Sequence, residues 1–195
     1  MPNTLPPQPE PDSDLLRQAQ SGDEAAFGAL MRNHYERIFR VVYAILRNEA
    51  DARDVCQEVL LKVWRELPKF RGDSKFTTWV HPIATRKALD HLRKRRRWFD
   101  RFLPFGTEES DTIQVPEPST SDDAGKHAEG AERRAEIETA LASLPPKLRA
   151  VLALREVEGL SYEAIAQAVS IPTGTVMSRL YHARRLLAQK LGAKS

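Results

Sequence analysis

Between Leu160 and Leu191 the stretch LSYEAIAQAVSIPTGTVMSRLYHARRLLAQKL puts Met177, Ser178, Tyr181, His182 and Arg185 at i, i+1, i+4, i+5 and i+8. At helical spacing these five share one face. Val176, Leu180, Ala183 and Leu187 mark the opposite face as the one to be buried. An exposed helical face of this chemistry fits a DNA major groove, where side chains meet base edges while Arg179, Arg184 and Arg185 lie near phosphates. An ordinary helical hairpin with a solvated basic face would show the same pattern, because isolated motifs of this kind also arise by chance.

A second concentration of charge lies upstream. Arg86, Lys87, Asp90, His91, Arg93, Lys94, Arg95, Arg96 and Arg97 follow an apolar face marked by Trp79, Ile83, Ala84 and Leu92. Just before it, Phe70, Arg71, Gly72, Asp73, Ser74, Lys75 and Phe76 combine a turn with two aromatics. Cations that track phosphates beside rings that stack on bases are the means by which proteins hold single-stranded nucleic acid. The alternative is that Phe70, Phe76 and Trp79 are core and the arginines a solubilising helix end. A third surface is acidic: Asp51, Asp54 and Glu58 recur at i, i+3 and i+7, with Gln57 alongside. It reads as a solvated face or as a dock for a basic partner.

The elements that position these residues are helical. Ser161 can cap the first helix of the hairpin and Glu163 adds charge at its positive end. Ile165, Ala166 and Val169 point inward, and Ser170, Ile171 and Pro172 make the turn. Apolar residues recur at helical spacing from about Asp14 to Arg97, and again from about Ala131 to Leu154, where Pro145 and Pro146 divide two helices. Pro82 should kink the helix that contains it. Strand signals are absent. The expected fold is all-α: a disordered tail over 1–13, a helical domain over 14–97, a flexible acidic linker over 98–130 and a helix-turn-helix domain over 131–195.

Composition limits the remaining classes. The chain has 195 residues, 41% apolar and 29% charged, with a net charge of +3 segregated along its length. That suits one or two small soluble domains, not a large enzyme core, and is long enough for two. Residues 1–11 carry five of the thirteen prolines and an acidic bias, with no basic start leading into an apolar run, so neither signal peptide nor membrane span is expected and the location is cytoplasmic. Cys56, the only cysteine, excludes an intrachain disulfide and reads as core beside Leu60, Val63 and Leu67. His34, His81, His91, His127 and His182 are scattered, so no metal or cofactor is expected.

Taken in order, DARDVCQEVLLKVW, KFRGDSKFTTW, ALDHLRKRRR, ALASLPPKLRAVLALREVEGLSYEAIA and IPTGTVMSRLYHARRLL resemble a group IV, extracytoplasmic-function sigma factor of the sigma-70 family. The resemblance covers roughly residues 14–97 and 131–191. It implies a non-enzymatic promoter-specificity subunit that binds the clamp and flap of core RNA polymerase, serves a stress or envelope response and answers to an anti-sigma factor. Asp51, Asp54, Val55, Gln57, Glu58, Leu61 and Trp64 would dock on polymerase. Phe70, Arg71, Asp73, Ser74, Lys75, Phe76, Arg86, Lys87, His91, Arg93 and Lys94 would hold melted DNA at −10. Ser161, Tyr162, Thr173, Thr175, Met177, Ser178, Arg179, Tyr181, His182 and Arg185 would read duplex DNA at −35. Leu60 stands where the family often has Phe, Arg86 where it often has Asn, and Ala164 where Glu often completes a capping box. The acidic linker would occupy the positively charged RNA path of the polymerase. The rival readings are a free-standing helix-turn-helix repressor or activator, which needs neither docking stripe nor base-capturing loop, and a nuclease, for which no carboxylate or His/Cys metal set is visible.

Overall fold

A computed structural model describes residues 12–102 and 128–192. Eight α-helices occupy them: α1 (Ser13–Gln20), α2 (Glu24–Leu46), α3 (Glu49–Glu66), α4 (Phe76–Phe102), α5 (Ala128–Ala142), α6 (Pro146–Glu156), α7 (Tyr162–Val169) and α8 (Thr173–Gly192). A 3-10 turn, Leu67–Lys69, follows α3. No strand occurs among the described residues.

Local chemistry sets the helix ends. Asp23 Oδ1 accepts hydrogen bonds from the Ala25 and Ala26 amides, at 2.8 and 3.0 Å, and starts α2. Arg47, at φ 56°, ends it in the left-handed region. Asn48 Oδ1 then accepts from the Asp51 amide at 2.9 Å and starts α3. Inside these ends the apolar rows interlock: Leu30, Ile38, Val41, Val42 and Ile45 from α2, Val55, Val59 and Val63 from α3, and Val80, Ala84, Ala88 and Leu92 from α4 are all buried. Trp79 and Ile83 lie partly buried at the edge of that core. Cys56 is fully buried and its thiol is pushed up to about 11 by burial, which fits a small core residue.

Helix α4 continues through Pro82, so the proline does not end it. It also runs past Arg97 to Phe102, and α5 opens at Ala128. Helix therefore reaches into both ends of the segment expected as a linker; the acidic residues between, like tail residues 1–11, lie outside the described residues. In the second unit α8 packs on α5, α6 and α7. The two units also pack on each other: α6 lies against α2 and α4, and α7 lies against α4.

Candidate nucleic-acid interface

The helix-turn-helix forms as its sequence dictates. Ser161 Oγ accepts from the Ala164 amide at 3.2 Å and caps α7. At the other end Ser170 turns left-handed at φ 55°, and the Ile171 amide bonds back to the Ala166 carbonyl at 3.0 Å. The Pro172 carbonyl then accepts from the Thr175 and Val176 amides and begins α8. Val176, Leu180 and Ala183 are buried, as is Ala168 where Val169 was expected to carry the inward face; Val169 and Leu187 pack half-buried at the edge. This anchors α8 with Met177 50% and Tyr181 64% exposed, beside exposed Ser178, His182 and Arg185. The Tyr181 and His182 rings meet edge to face at 5.6 Å.

The remaining residues expected to read −35 differ in placement. The Ser161 hydroxyl is used as a cap, and replacement by Ala is expected to lower stability by about 1 kcal/mol in thermal unfolding. Tyr162, Thr173, Thr175 and Arg179 are half-buried, with the Arg155 guanidinium 5.1 Å over the Tyr162 ring. Arg184 is exposed, but its guanidinium bonds to Glu156 at 2.7 Å, which turns it toward α6. Sequence reasoning missed Arg155, which also donates to the Leu160 carbonyl at 2.8 Å and fixes the approach to α7. An arginine followed five residues later by a helix start is too common to signal that contact.

In the loop before α4, Phe70 and Phe76 are 7% and 4% exposed and belong to the core. The Phe70 ring lies 5.0 Å from Trp79 and 6.2 Å from Phe76, and His34 stands 5.1 Å from Phe76. Their faces are spent on one another, so they cannot stack on a base as expected from the sequence. What they do is hold the exposed Arg71, Asp73, Ser74 and Lys75 outward, with Gly72 at φ 77° allowing the turn. Gln20, unnoticed in the sequence, braces the loop by donating to the Leu67 and Phe70 carbonyls at 3.2 and 2.7 Å.

The acidic stripe of α3 and the basic stripe of α4 find each other. Lys87 Nζ bonds to Glu58 at 2.7 Å, Arg95 to Asp51 at 2.9 Å, and His91 Nε2 lies 3.4 Å from the same Asp51 carboxylate. The hydrogen bond from Lys87 outweighs the opposing effect of burial and holds the Glu58 carboxyl below its usual range. Asp54, Gln57 and Leu61 remain exposed. Val55 is buried in the core, where no docking partner can reach it, and Trp64 is half-buried against Phe27, with ring centroids 4.8 Å apart. Arg86, Arg93 and Lys94 are exposed; Arg93 pairs with Asp90 and Arg86 with Ser170 of the other unit. Among the described residues no helix is long and apolar enough to cross a membrane.

Known families match both units. Residues 30–98 match sigma-70 region 2, and residues 134–187 match sigma-70 region 4. The chain is 38% identical over 190 residues to the RNA polymerase sigma-H factor of Pseudomonas aeruginosa, covering 93% of this chain and 94% of that protein. It is 32% identical over 189 residues to the ECF RNA polymerase sigma-E factor of Escherichia coli K12, covering 92% and 94%. The chain belongs to the extracytoplasmic-function sigma factors.

The fold of this sigma factor agrees with that assignment. CnrH, solved in complex with the cytosolic domain of CnrY, is 25% identical with a TM-score of 0.64, over 94% of this chain and 99% of that one. RpoE of Bartonella quintana, solved with the anti-sigma factor NepR, is 22% identical with a TM-score of 0.65, over 87% and 98%, and shares the fold. Within the sigma factor, the region 2 match contains the whole α3 stripe, the loop and the basic part of α4, and the region 4 match contains the helix-turn-helix.

Proposed function

We propose that this sigma factor docks on core RNA polymerase through the exposed part of α3 and directs initiation by reading −35 duplex with α8 and holding melted −10 DNA with the 71–75 loop and α4. The observation that carries the proposal is the α8 face: Met177, Ser178, Tyr181, His182 and Arg185 all point outward from a helix whose opposite row is buried. Exposed loop residues Arg71, Asp73, Ser74 and Lys75, with Arg86, Arg93 and Lys94 and the paired Lys87 and His91, form the second DNA surface, and Asp54, Gln57, Glu58 and Leu61 form the polymerase surface. The protein works in the cytoplasm, without catalytic chemistry or a cofactor of its own, because phosphodiester synthesis belongs to the polymerase. An anti-sigma protein restrains it, a reading supported by CnrH having been solved bound to another protein's cytosolic domain.

Run-off transcription by purified bacterial core polymerase on pooled upstream genomic fragments, with 5′ ends sequenced, tests the reading. New starts with shared motifs near −35 and −10 are expected only when the protein is present. Fragments shifted by the protein alone, with no new starts, would favour a free-standing repressor or activator. Deleting residues 108–123, the acidic stretch expected to lie in the RNA path, should change the ratio of abortive to full-length transcripts; an unchanged ratio removes that role.

A further inference from the structure

Helix α1 is seated on α2 by Leu15, Leu16 and Ala19, with Ala19 buried and the two leucines half-buried. Both of its ends reach the loop that precedes α4. At the far end the Gln20 side-chain amide donates to the Leu67 carbonyl at 3.2 Å and to the Phe70 carbonyl at 2.7 Å. The Leu67 carbonyl also accepts from the Phe70 amide at 3.0 Å, whereas Gln20 is the one donor to the Phe70 carbonyl among the described residues. At the near end Asp12, the residue before α1, accepts from Asn33 Nδ2 at 2.8 Å and lies 2.7 Å from His34 Nε2. The His34 ring in turn stands 5.1 Å from Phe76. The Asp12 and His34 side chains are both largely withdrawn from water.

These two anchors sit at the two shoulders of one loop. Phe70 is the last core residue before exposed Arg71, Asp73, Ser74 and Lys75, and Phe76 is the first after them. Among the described residues no hydrogen bond reaches the backbone of Arg71, Gly72, Asp73 or Ser74, and the Lys75 carbonyl accepts from the Trp79 amide at 3.1 Å. The course of the loop is therefore set where it leaves and rejoins the core. Burial of the Phe70 ring does not set it, because rotation about ψ turns the carbonyl without moving the ring. The Phe70 carbonyl and the Arg71 amide belong to one planar peptide unit. Holding that oxygen fixes the plane from which Arg71 departs, and Gly72 at φ 77° then turns the chain.

We infer that Gln20 is a positioning residue for the −10 surface: it orients the peptide between Phe70 and Arg71 and so aims the 71–75 loop at DNA. Helix α1 then belongs to the −10 machinery, although it lies ahead of residues 30–98, which match region 2. The DNA half of this inference rests on the −10 role proposed above; the positioning half does not. A loop free to take several courses binds its target more weakly, in proportion to the fraction of time spent in the competent one.

The test compares two variants of the full chain. Gln20→Glu keeps the side chain's length but turns an acceptor toward two carbonyls, and Gln20→Lys keeps a donor at similar reach. A spin label on Ser74→Cys reports loop motion while buried Cys56 stays unlabelled, and DNA measurements use unlabelled chains. The label should be more mobile with Gln20→Glu and behave as in wild type with Gln20→Lys, with the melting midpoint and core-polymerase affinity unchanged in both. Holoenzyme is then placed on a promoter recovered by the run-off experiment, and permanganate reactivity of thymines near −10 is measured per bound complex. It should fall about tenfold for Gln20→Glu and stay within about twofold for Gln20→Lys, as expected for the loss or retention of two hydrogen bonds of ordinary strength. Equal label mobility in wild type and Gln20→Glu would overturn the positioning role. So would a Gln20→Lys variant as impaired as Gln20→Glu, or a fall in melting midpoint that accounts for the loss. A mobilised loop with unchanged thymine reactivity would overturn its bearing on −10 DNA. If wild type itself directs no transcription, the functional reading fails, and label mobility still decides the positioning role.

Discussion

Leu61→Asp should weaken binding to core RNA polymerase at least about 30-fold while leaving the thermal unfolding midpoint essentially unchanged. Leu61 is 58% exposed on α3, one turn beyond Gln57 and Glu58 and on the same side as Asp54. A single exposed leucine is ordinary on a protein surface. This one ends the exposed row of Asp54, Gln57 and Glu58 in the proposed docking segment, beside polar side chains that can form a rim. Apolar anchors so placed carry about 2 kcal/mol or more of a protein interface, which is about 30-fold in affinity. Its exposure also means that little of the fold depends on it, and surface changes usually alter stability by only about 0.5 kcal/mol. Glu58→Arg is a less clean probe, because it breaks the bond to Lys87 and sets like charges side by side between α3 and α4. Titrating labelled protein with purified core polymerase, beside a thermal melt, checks the expectation. Equal affinity for the Leu61 variant would remove α3 from the docking surface.

The sequence made the helices legible wherever an apolar row recurs at 3.6-residue spacing. Val55, Val59 and Val63, and Val176, Leu180 and Ala183, are buried because each row has only one side to hide. Ser161 was legible as a cap because its role depends on residues within one turn. Partnerships across helices were not legible. Asp51, Asp54 and Glu58 form an acidic row that reads as solvated or docking, and only the packing of α4 on α3 supplies Arg95, His91 and Lys87 as internal partners for two of the three. Phe70 and Phe76 have the same sequence context whether they stack on bases or on one another, so burial was needed to decide. The bond from Arg37 to the buried Glu158 gave no signal, since Arg37 lies 121 residues earlier in the chain and nothing near the turn after α6 anticipates a buried carboxylate.

Leu180 and Tyr181 adjoin in sequence, and their replacement by Ala should weaken promoter binding in two different ways, one with loss of stability and one without. Leu180 is 1% exposed and holds α8 in the second unit's core, whereas Tyr181 is 64% exposed beside Met177 and Arg185. Leu180→Ala removes buried methyl groups and leaves a cavity, at a cost of about 2–5 kcal/mol in stability. That is enough to loosen the helix-turn-helix, so −35 binding falls together with the melting midpoint. Tyr181→Ala should change stability by only about 0.5 kcal/mol or less. A base-edge contact is worth about 1–3 kcal/mol, so promoter binding should drop about fivefold to 150-fold and selectively, depending on the base that faces the ring. Arg185→Ala on the same face should instead weaken all promoters similarly and reduce the salt slope by about 1, as expected for a lost phosphate contact. Thermal melts and transcription from several promoters over a salt series separate the three. A Tyr181 variant that matches wild type on every promoter would show that α8 meets DNA through another face, because an aromatic that is 64% exposed on the outward face would then have been lost without losing any recognition.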